Sequence, residues 1–402
     1  MRKAKATVTK SERRGRAEKE KKPKVKKEKK PRRHFRFLPE GKTGDLWLIL
    51  LTVVLVTFGT VMIFSASYYK SISEAGDPYV YLKRQLMWLA AGFAAMWILA
   101  KIDYHVWGRL YKIIPVICIV LLGLLFTPLG IEVNGAVRWL GAGPITIMPG
   151  EIAKLGLIIF VAGYFDRYPK RAYDFWKGVV PVVLLAGIYA GLIMLQPNMS
   201  TAFTVVFIAG GMLIVSGVKW RHMGILAGAA TVAGVGLILM DTEGYRFARF
   251  TSFLDPFADA LRNGWQVVQS LLAMGTGGLT GLGLGNSIQK NLYLPEPQND
   301  FILAIIGEEL GLIGCVLLMG AYAFLVYRGI RIAMRCKDRF GSLLAAGITS
   351  VIGMQAIVNI AVATSSAPTT GQTLPFISAG GTSLVIFLSA AGILLNVSRN
   401  TQ

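Results

Sequence analysis

The feature that most restricts this chain is a succession of apolar runs at approximately 46–68, 84–101, 112–128, 151–165, 178–195, 200–217, 222–240, 301–327, 341–362 and 382–397. Each approaches or exceeds what is needed to cross a hydrocarbon core about 30 Å thick. Inside hydrocarbon a backbone must satisfy its own hydrogen bonds, which a helix does. The pattern predicts an all-α integral membrane protein with about ten transmembrane helices. Composition agrees: of 402 residues, 53% are hydrophobic and 16% charged, with mean hydropathy +0.53, too apolar for a soluble domain of this length.

Charge orients the helices. The links at 101–112, 166–177, 218–221 and 328–340 hold fourteen Lys and Arg, whereas those at 129–150, 196–199 and 363–381 hold Arg138 alone. Basic residues are retained on the cytoplasmic side, so both termini are expected inside and the large loop 241–300, between helices seven and eight, outside. Much of the net charge of +21 is local, because Met1–Asp45 carries 19 Lys and Arg against 6 Asp and Glu. Such a tail has too little apolar surface to fold alone and is expected to be disordered, lying against anionic lipid headgroups. Without a binding fold or interleaved aromatics it does not indicate nucleic acid. The first run is not expected to be a cleavable secretory signal, since a long basic stretch precedes it and many more apolar runs follow. The chain thus divides into a basic tail over 1–45, a membrane domain over 46–397 and a short cytoplasmic end at 398–402. Cys118, Cys315 and Cys336 form neither a disulfide framework nor a zinc spacing, and His34, His105 and His222 are scattered.

The outward side carries the unusual sequence. The loop 241–300 is far longer than an ordinary connection, and such loops are generally functional or disordered. It holds Arg246 and Arg249, then an amphipathic stretch, Gly264–Ser270, expected to re-enter the membrane or lie on its surface. Gly275–Gly285 follows, rich in glycine. It has no GxGxxG register, no preceding strand and no closing Lys-Ser/Thr, so it is expected to be a flexible or closely packed turn. The uncharged link 363–381, full of hydroxyls and breakers, suits backbone lining a polar cavity.

Asp300 stands immediately before the apolar run Phe301–Ile306, where two readings apply. Asn299 or Asp300 can cap the helix, whose N-terminus favours negative charge. Alternatively, partial desolvation makes the carboxylate a better proton acceptor, as a general base requires. Glu151 and Lys154 share one face of the fourth helix. They are either an ion pair holding the bundle or a pair that places substrate. Glu308 and Glu309, between Gly307 and Gly311, mark either a close helix approach or an ion path, which would support a transporter.

Four segments carry a family resemblance: NGAVRWL at 134–140, GWQVVQSLLAMGTGGLTGLGLGNSIQK at 264–290, YLPEPQNDFILAIIGEELG at 293–311 and APTTGQTLPFISAGGTSL at 367–384. Nearly everything after the tail resembles the SEDS (shape, elongation, division and sporulation) family of bacterial membrane proteins, the FtsW/RodA type. The GLGNSIQK and YLPE forms look more like the FtsW and SpoVE branch. The resemblance implies a multi-pass, ten-helix enzyme of the bacterial cytoplasmic membrane, at the division septum or in sporulation, that polymerises lipid II into glycan strands. It implies as partners a monofunctional class B penicillin-binding transpeptidase and other divisome membrane proteins.

On that resemblance Asp300 is the essential acid. It would take the proton of the acceptor sugar's C4 hydroxyl, which attacks C1 of the donor muramyl sugar and expels undecaprenyl pyrophosphate with inversion. The departing negative charge calls for cations. Arg138, Lys154, Arg246, Arg249 and Lys290 are candidates, with Trp139 against a sugar ring and Glu151 and Glu296 at the substrate. A divalent cation, Mg or Mn, shared with the pyrophosphate is compatible, although no ligand set is visible. Some positions depart from the family pattern. Asn198 stands where the family often has Asp, removing any acid or metal role there; Gly150 replaces the usual Ser and Asn299 the usual Thr. Two rivals from other classes are a flippase for lipid-linked precursor, with polar elements on both faces, and a non-catalytic scaffold of the division machinery.

Overall fold

The computed structural model describes residues 44–133, 135–142, 145–239, 252–262 and 264–401; Arg246, Arg249 and the tail over 1–43 lie outside the described residues. Each of the ten apolar runs overlaps a helix over most of its length. In chain order the helices are α1 (Leu46–Ala75), α2 (Val80–Lys101), α3 (His105–Leu110), α4 (Ile113–Leu124), α5 (Pro149–Arg167), α6 (Val180–Met194), α7 (Met199–Val215) and α8 (Trp220–Leu239), then α9 (Trp265–Gly277), α10 (Ile302–Arg335), α11 (Arg339–Ala363) and α12 (Gly381–Ser398). Among the described residues five segments are long and apolar enough to cross a membrane: α1, Phe175–Met194 containing α6, α10, α11 and α12. α4 and α7 are shorter apolar helices.

Local chemistry sets several boundaries. Asp45 caps α1 by accepting from the Leu48 amide at 3.1 Å, and Gly76 closes it in the left-handed region. α4 stops at Leu124, short of the expected 128, since Pro128 cannot continue a helix. Asn198 caps α7 through the Thr201 amide at 3.3 Å, so the residue that departs from the family pattern keeps a structural task.

The expected all-α fold gains one antiparallel sheet in the link before α5. Its strands are β1 (Gly130–Val133), β2 (Ala136–Ala142) and β3 (Ile145–Ile147), in that order. Trp139 pairs opposite Ile131, and Leu140 opposite both Gly130 and Ile147. Val137 pairs with Glu132, so Arg138 is the extra residue of a bulge in β2.

α12 packs most extensively along α2. The join is sealed by Asn396, which donates to the Ala100 carbonyl at 2.7 Å and accepts from the Tyr104 amide at 3.1 Å. Toward the outside, Val116, Ile117 and Val120 of α4 and Leu312, Val316 and Leu317 of α10 are exposed apolar side chains. Exposed apolar area on this scale marks a surface that meets lipid or another chain.

α10 is broken at Gly311, which has φ 67° and ψ −167°. The carbonyls of Glu308 and Glu309, orphaned by the break, accept from the amides of Leu282 and Gly283, both at 2.9 Å. Beyond it, the amides of Leu312 and Ile313 donate to the carbonyls of Gly278 and Leu279 at 2.9 and 3.1 Å. The glycine-rich stretch is therefore a closely packed turn that splints a discontinuous helix and satisfies backbone groups that lipid cannot. Gly281 has φ +80°, and a Cβ there would collide with the Glu309 carbonyl. Gly281→Ala is expected to lower stability by at least about 2 kcal/mol in detergent thermal unfolding. Gly275→Ala, with open space around it, should be neutral or stabilising by less than about 1 kcal/mol.

Candidate active site

Asp300 is half-buried just outside α10, and its backbone is held unusually firmly. Three successive carbonyls each have a separate donor. The Ala379 amide reaches Gln298 at 2.9 Å, the Ser378 hydroxyl reaches Asn299 at 2.6 Å, and the Asn359 side-chain amide reaches Asp300 at 2.9 Å. Asn359, 1% exposed on α11, also donates to the Gln372 carbonyl at 2.8 Å. The Asp300 carboxylate faces the 363–381 link, with Oδ2 lying 3.6 Å from where a Cβ on Gly371 would stand. Gly371 in turn donates to Ser200 at the start of α7 at 3.2 Å. The carboxylate thus sits where α7, α10 and the link converge.

The cap position of α10 is Phe301, which makes no side-chain capping bond. Asn299 instead donates to Glu296 at 2.7 Å.

A cavity of about 460 Å³ is walled in part by Gln298 and Asn299, the two residues before Asp300, while Asp300 itself is not part of its lining. Trp139 of β2, Trp88 and Arg84 of α2, Lys70 of α1, and Glu296 complete the walls that matter chemically. The 363–381 link contributes Ala379 and Gly380, as its composition led one to expect. A second cavity of about 250 Å³ lies against the first, and both share Lys70, Glu74 and Glu296. The Lys70–Glu296 ion pair is the partition between them. Glu296 takes φ +49°, a left-handed conformation that costs a non-glycine residue about 1–3 kcal/mol. Lys70, Asn299 and Gln298 all hold its carboxylate there.

The remaining candidates are distributed differently from their grouping in the sequence. Trp139 and Glu296 meet at the larger cavity, whereas Arg138 donates to the Pro197 carbonyl and does not line it. Glu151 and Lys154 are 4% and 3% exposed and close on each other at 2.7 Å, with Ser383 donating to Glu151 at 3.3 Å. The adjoining void is about 20 Å³, too small for a sugar, which is the geometry of the bundle-holding ion pair. Lys290, 3% exposed, pairs with the fully buried Glu309 at 2.9 Å and with Ser65 at 3.1 Å, and borders only the smaller cavity. Glu308 accepts from Ser287, from the Ile288 amide at 2.9 Å and from the Gln289 amide at 3.3 Å. The two acids offered as an ion path therefore fasten the 287–290 turn to α10.

Sequence reasoning missed Lys70, Arg84, Trp88 and Asn359. Lys70, Lys83 and Arg84 flank the link between α1 and α2, which a cytoplasmic N-terminus would put outside, and so run against the inside-positive bias; that is the available signal. Asn359 is a lone amide in an apolar run, a pattern that usually carries a task within a membrane. Among the described residues no group of three or more His, Cys, Asp and Glu side chains is placed to hold a metal ion.

Fold and site together define a helical, multi-pass membrane protein whose polar machinery is gathered at one end of the bundle. Comparison narrows this: the chain belongs to the FtsW/RodA/SpoVE family, described as cell cycle proteins, whose sequence model matches residues 46–402. It is similar to stage V sporulation protein E of Bacillus subtilis (strain 168), with 42% identity over 359 residues, 89% of this chain and 98% of that protein. It is also similar to the probable peptidoglycan glycosyltransferase FtsW of Geobacter sp. (strain M18), with 39% identity over 356 residues, 88% of this chain and 96% of that protein. Among solved structures, one chain from work on the structural coordination of polymerization and crosslinking by a peptidoglycan synthase complex matches with a TM-score of 0.73. Its identity is 29%, over 89% of this chain and 98% of that one. These relatives place the chain in the FtsW/SpoVE branch.

Proposed function

We propose that this chain is a peptidoglycan glycosyltransferase that polymerises lipid II during septal or sporulation wall synthesis, with Asp300 as general base. The observation that carries the reading is the clamp on the carbonyls of residues 298–300, which fixes a half-buried carboxylate directly after Gln298 and Asn299 in the wall of a ligand-sized cavity. Asp300 accepts the proton of the acceptor's C4 hydroxyl as that oxygen attacks C1 of the donor muramyl sugar. The C1–O bond to undecaprenyl pyrophosphate breaks, and the proton leaves Asp300 for solvent. Arg84 makes no ion pair among the described residues and lines the cavity, so it is the cation offered to the departing pyrophosphate. Trp88 and Trp139 supply faces for sugar rings. A divalent cation would have to arrive on the pyrophosphate, and no step here depends on one.

The same reading takes ten membrane crossings, cytoplasmic termini and an outward 241–300 loop, in the bacterial cytoplasmic membrane at the septum. A class B penicillin-binding transpeptidase and other divisome membrane proteins are its partners, and anionic lipids meet the basic tail. Support for a partner comes from the related chain of a peptidoglycan synthase complex. Purified protein given labelled lipid II is expected to form a ladder of glycan polymer on a gel, more strongly with its transpeptidase. Translocation of lipid II across liposomes without polymer would replace this reading with a flippase.

The partition between the cavities makes a further prediction. Lys70→Glu sets two acids against each other and should reduce polymer yield at least tenfold. Adding Glu296→Lys should recover most of it, and equal yields from the single and double variants would show that the pair does not hold the loop.

A further inference from the structure

At the end of the bundle away from Asp300, the start of α1 and the ends of α10 and α12 enclose a cavity of about 300 Å³. Its walls include Asp45, Arg328, Arg331, Arg335, Ser398 and Thr401. The only acid in that wall is engaged twice, because Asp45 caps α1 and receives the Arg328 guanidinium, with Nε at 3.1 Å. The hydroxyls are engaged as well. Ser398 accepts from the Asp45 amide at 2.9 Å and donates to Leu395 at 2.7 Å, and Thr401 donates to the Ser398 carbonyl at 2.6 Å. Arg331 and Arg335 remain, four residues apart on one helix face and without an acidic partner among the described residues. Like charges at that spacing repel, and an anion between them removes the repulsion.

The depth of this cavity identifies the anion. Trp47 of α1 and Phe324 and Tyr327 of α10 form a run of ring contacts, with centroids 5.8 Å and 6.2 Å apart. Trp47 is 52% exposed and Tyr327 50%. Exposed Trp and Tyr on neighbouring membrane helices mark the boundary between hydrocarbon and water. The Arg331 guanidinium lies 5.7 Å from the Tyr327 ring. Arg331 and Arg335 stand about 6 and 12 Å further along the helix, at the level of lipid phosphates. A guanidinium offers phosphate a two-pronged donor, and basic pockets between membrane helices recognise acidic headgroups.

We propose that this cavity binds the phosphate of an anionic phospholipid headgroup, clasped between Arg331 and Arg335. The site is stoichiometric and separate from the diffuse attraction of the basic tail. It ties the leaflet on that side to α10, whose other end begins two residues after Asp300.

The test uses the full chain in detergent with phosphatidylglycerol, phosphatidylcholine or inorganic phosphate, read by native mass spectrometry and by thermal unfolding. One phosphatidylglycerol is expected to be retained per chain and to raise the unfolding midpoint. Arg331→Gln/Arg335→Gln should weaken retention roughly thirty-fold, the effect of two basic residues at such a surface. The tail is the same in both proteins, so its contribution cancels. Arg331→Lys/Arg335→Lys, which keeps the charge and the fold but loses the fork, should retain less lipid than the wild type. Unchanged retention by either variant, or equal retention of phosphatidylcholine, overturns the site. Equal stabilisation by inorganic phosphate assigns it to free phosphate and overturns the lipid.

Discussion

Asp300→Asn is expected to slow lipid II polymerisation by about 10²–10⁴-fold, the usual contribution of a positioned general base. The substitution preserves volume and leaves the clamp intact, because Ala379, Ser378 and Asn359 hold main-chain carbonyls and not the side chain. Yield, membrane insertion and the unfolding midpoint should therefore match the wild type. Single-turnover assays with labelled lipid II measure the chemical step directly. Wild-type rates in the Asn protein would leave the carboxylate without a catalytic task. Loss of rate together with loss of fold would point to a structural role instead.

Lys290→Met should lower stability by about 3–5 kcal/mol, the typical result of stranding one member of a buried ion pair. Glu309 is fully buried and its Oε1 takes both the Lys290 ammonium and the Ser65 hydroxyl, the latter at 2.6 Å. With Lys290 removed, one hydroxyl must support a carboxylate that water cannot reach. An exposed pair would contribute only about 0–1 kcal/mol, so the size of the loss reports burial. Lys290→Met/Glu309→Gln should recover most of it, since a neutral amide carries a far smaller desolvation cost. Unfolding in detergent checks both. A loss below about 1 kcal/mol in the single variant would show that the pair does not anchor the loop to α10.

Lys290 also shows where sequence reading went astray. In the sequence it is an outward cation and a natural partner for pyrophosphate. In the fold it is committed to Glu309, 19 residues away, while the cation that reaches the larger cavity without an acidic partner is Arg84. The hairpin before α5 was likewise overlooked. Its β-branched and aromatic residues flank Asn134-Gly135, a standard hairpin signal, but so short a stretch between membrane runs looks like a plain link. Asp300 is recognisable because an acid directly before an apolar run is conspicuous in one dimension.

Helix positions, the membrane class and the one-sided distribution of complex sequence follow from the chain alone. Each depends on composition within one helix length, and hydrocarbon offers the backbone no partner but itself. Which polar groups answer one another does not. Ser65 meets Lys290 and Glu309, Asn359 meets Asp300, and the 278–283 turn enters the break at Gly311. Those pairings join separate helices, and only packing brings them within the few ångströms over which a buried charge or an orphaned amide can be satisfied.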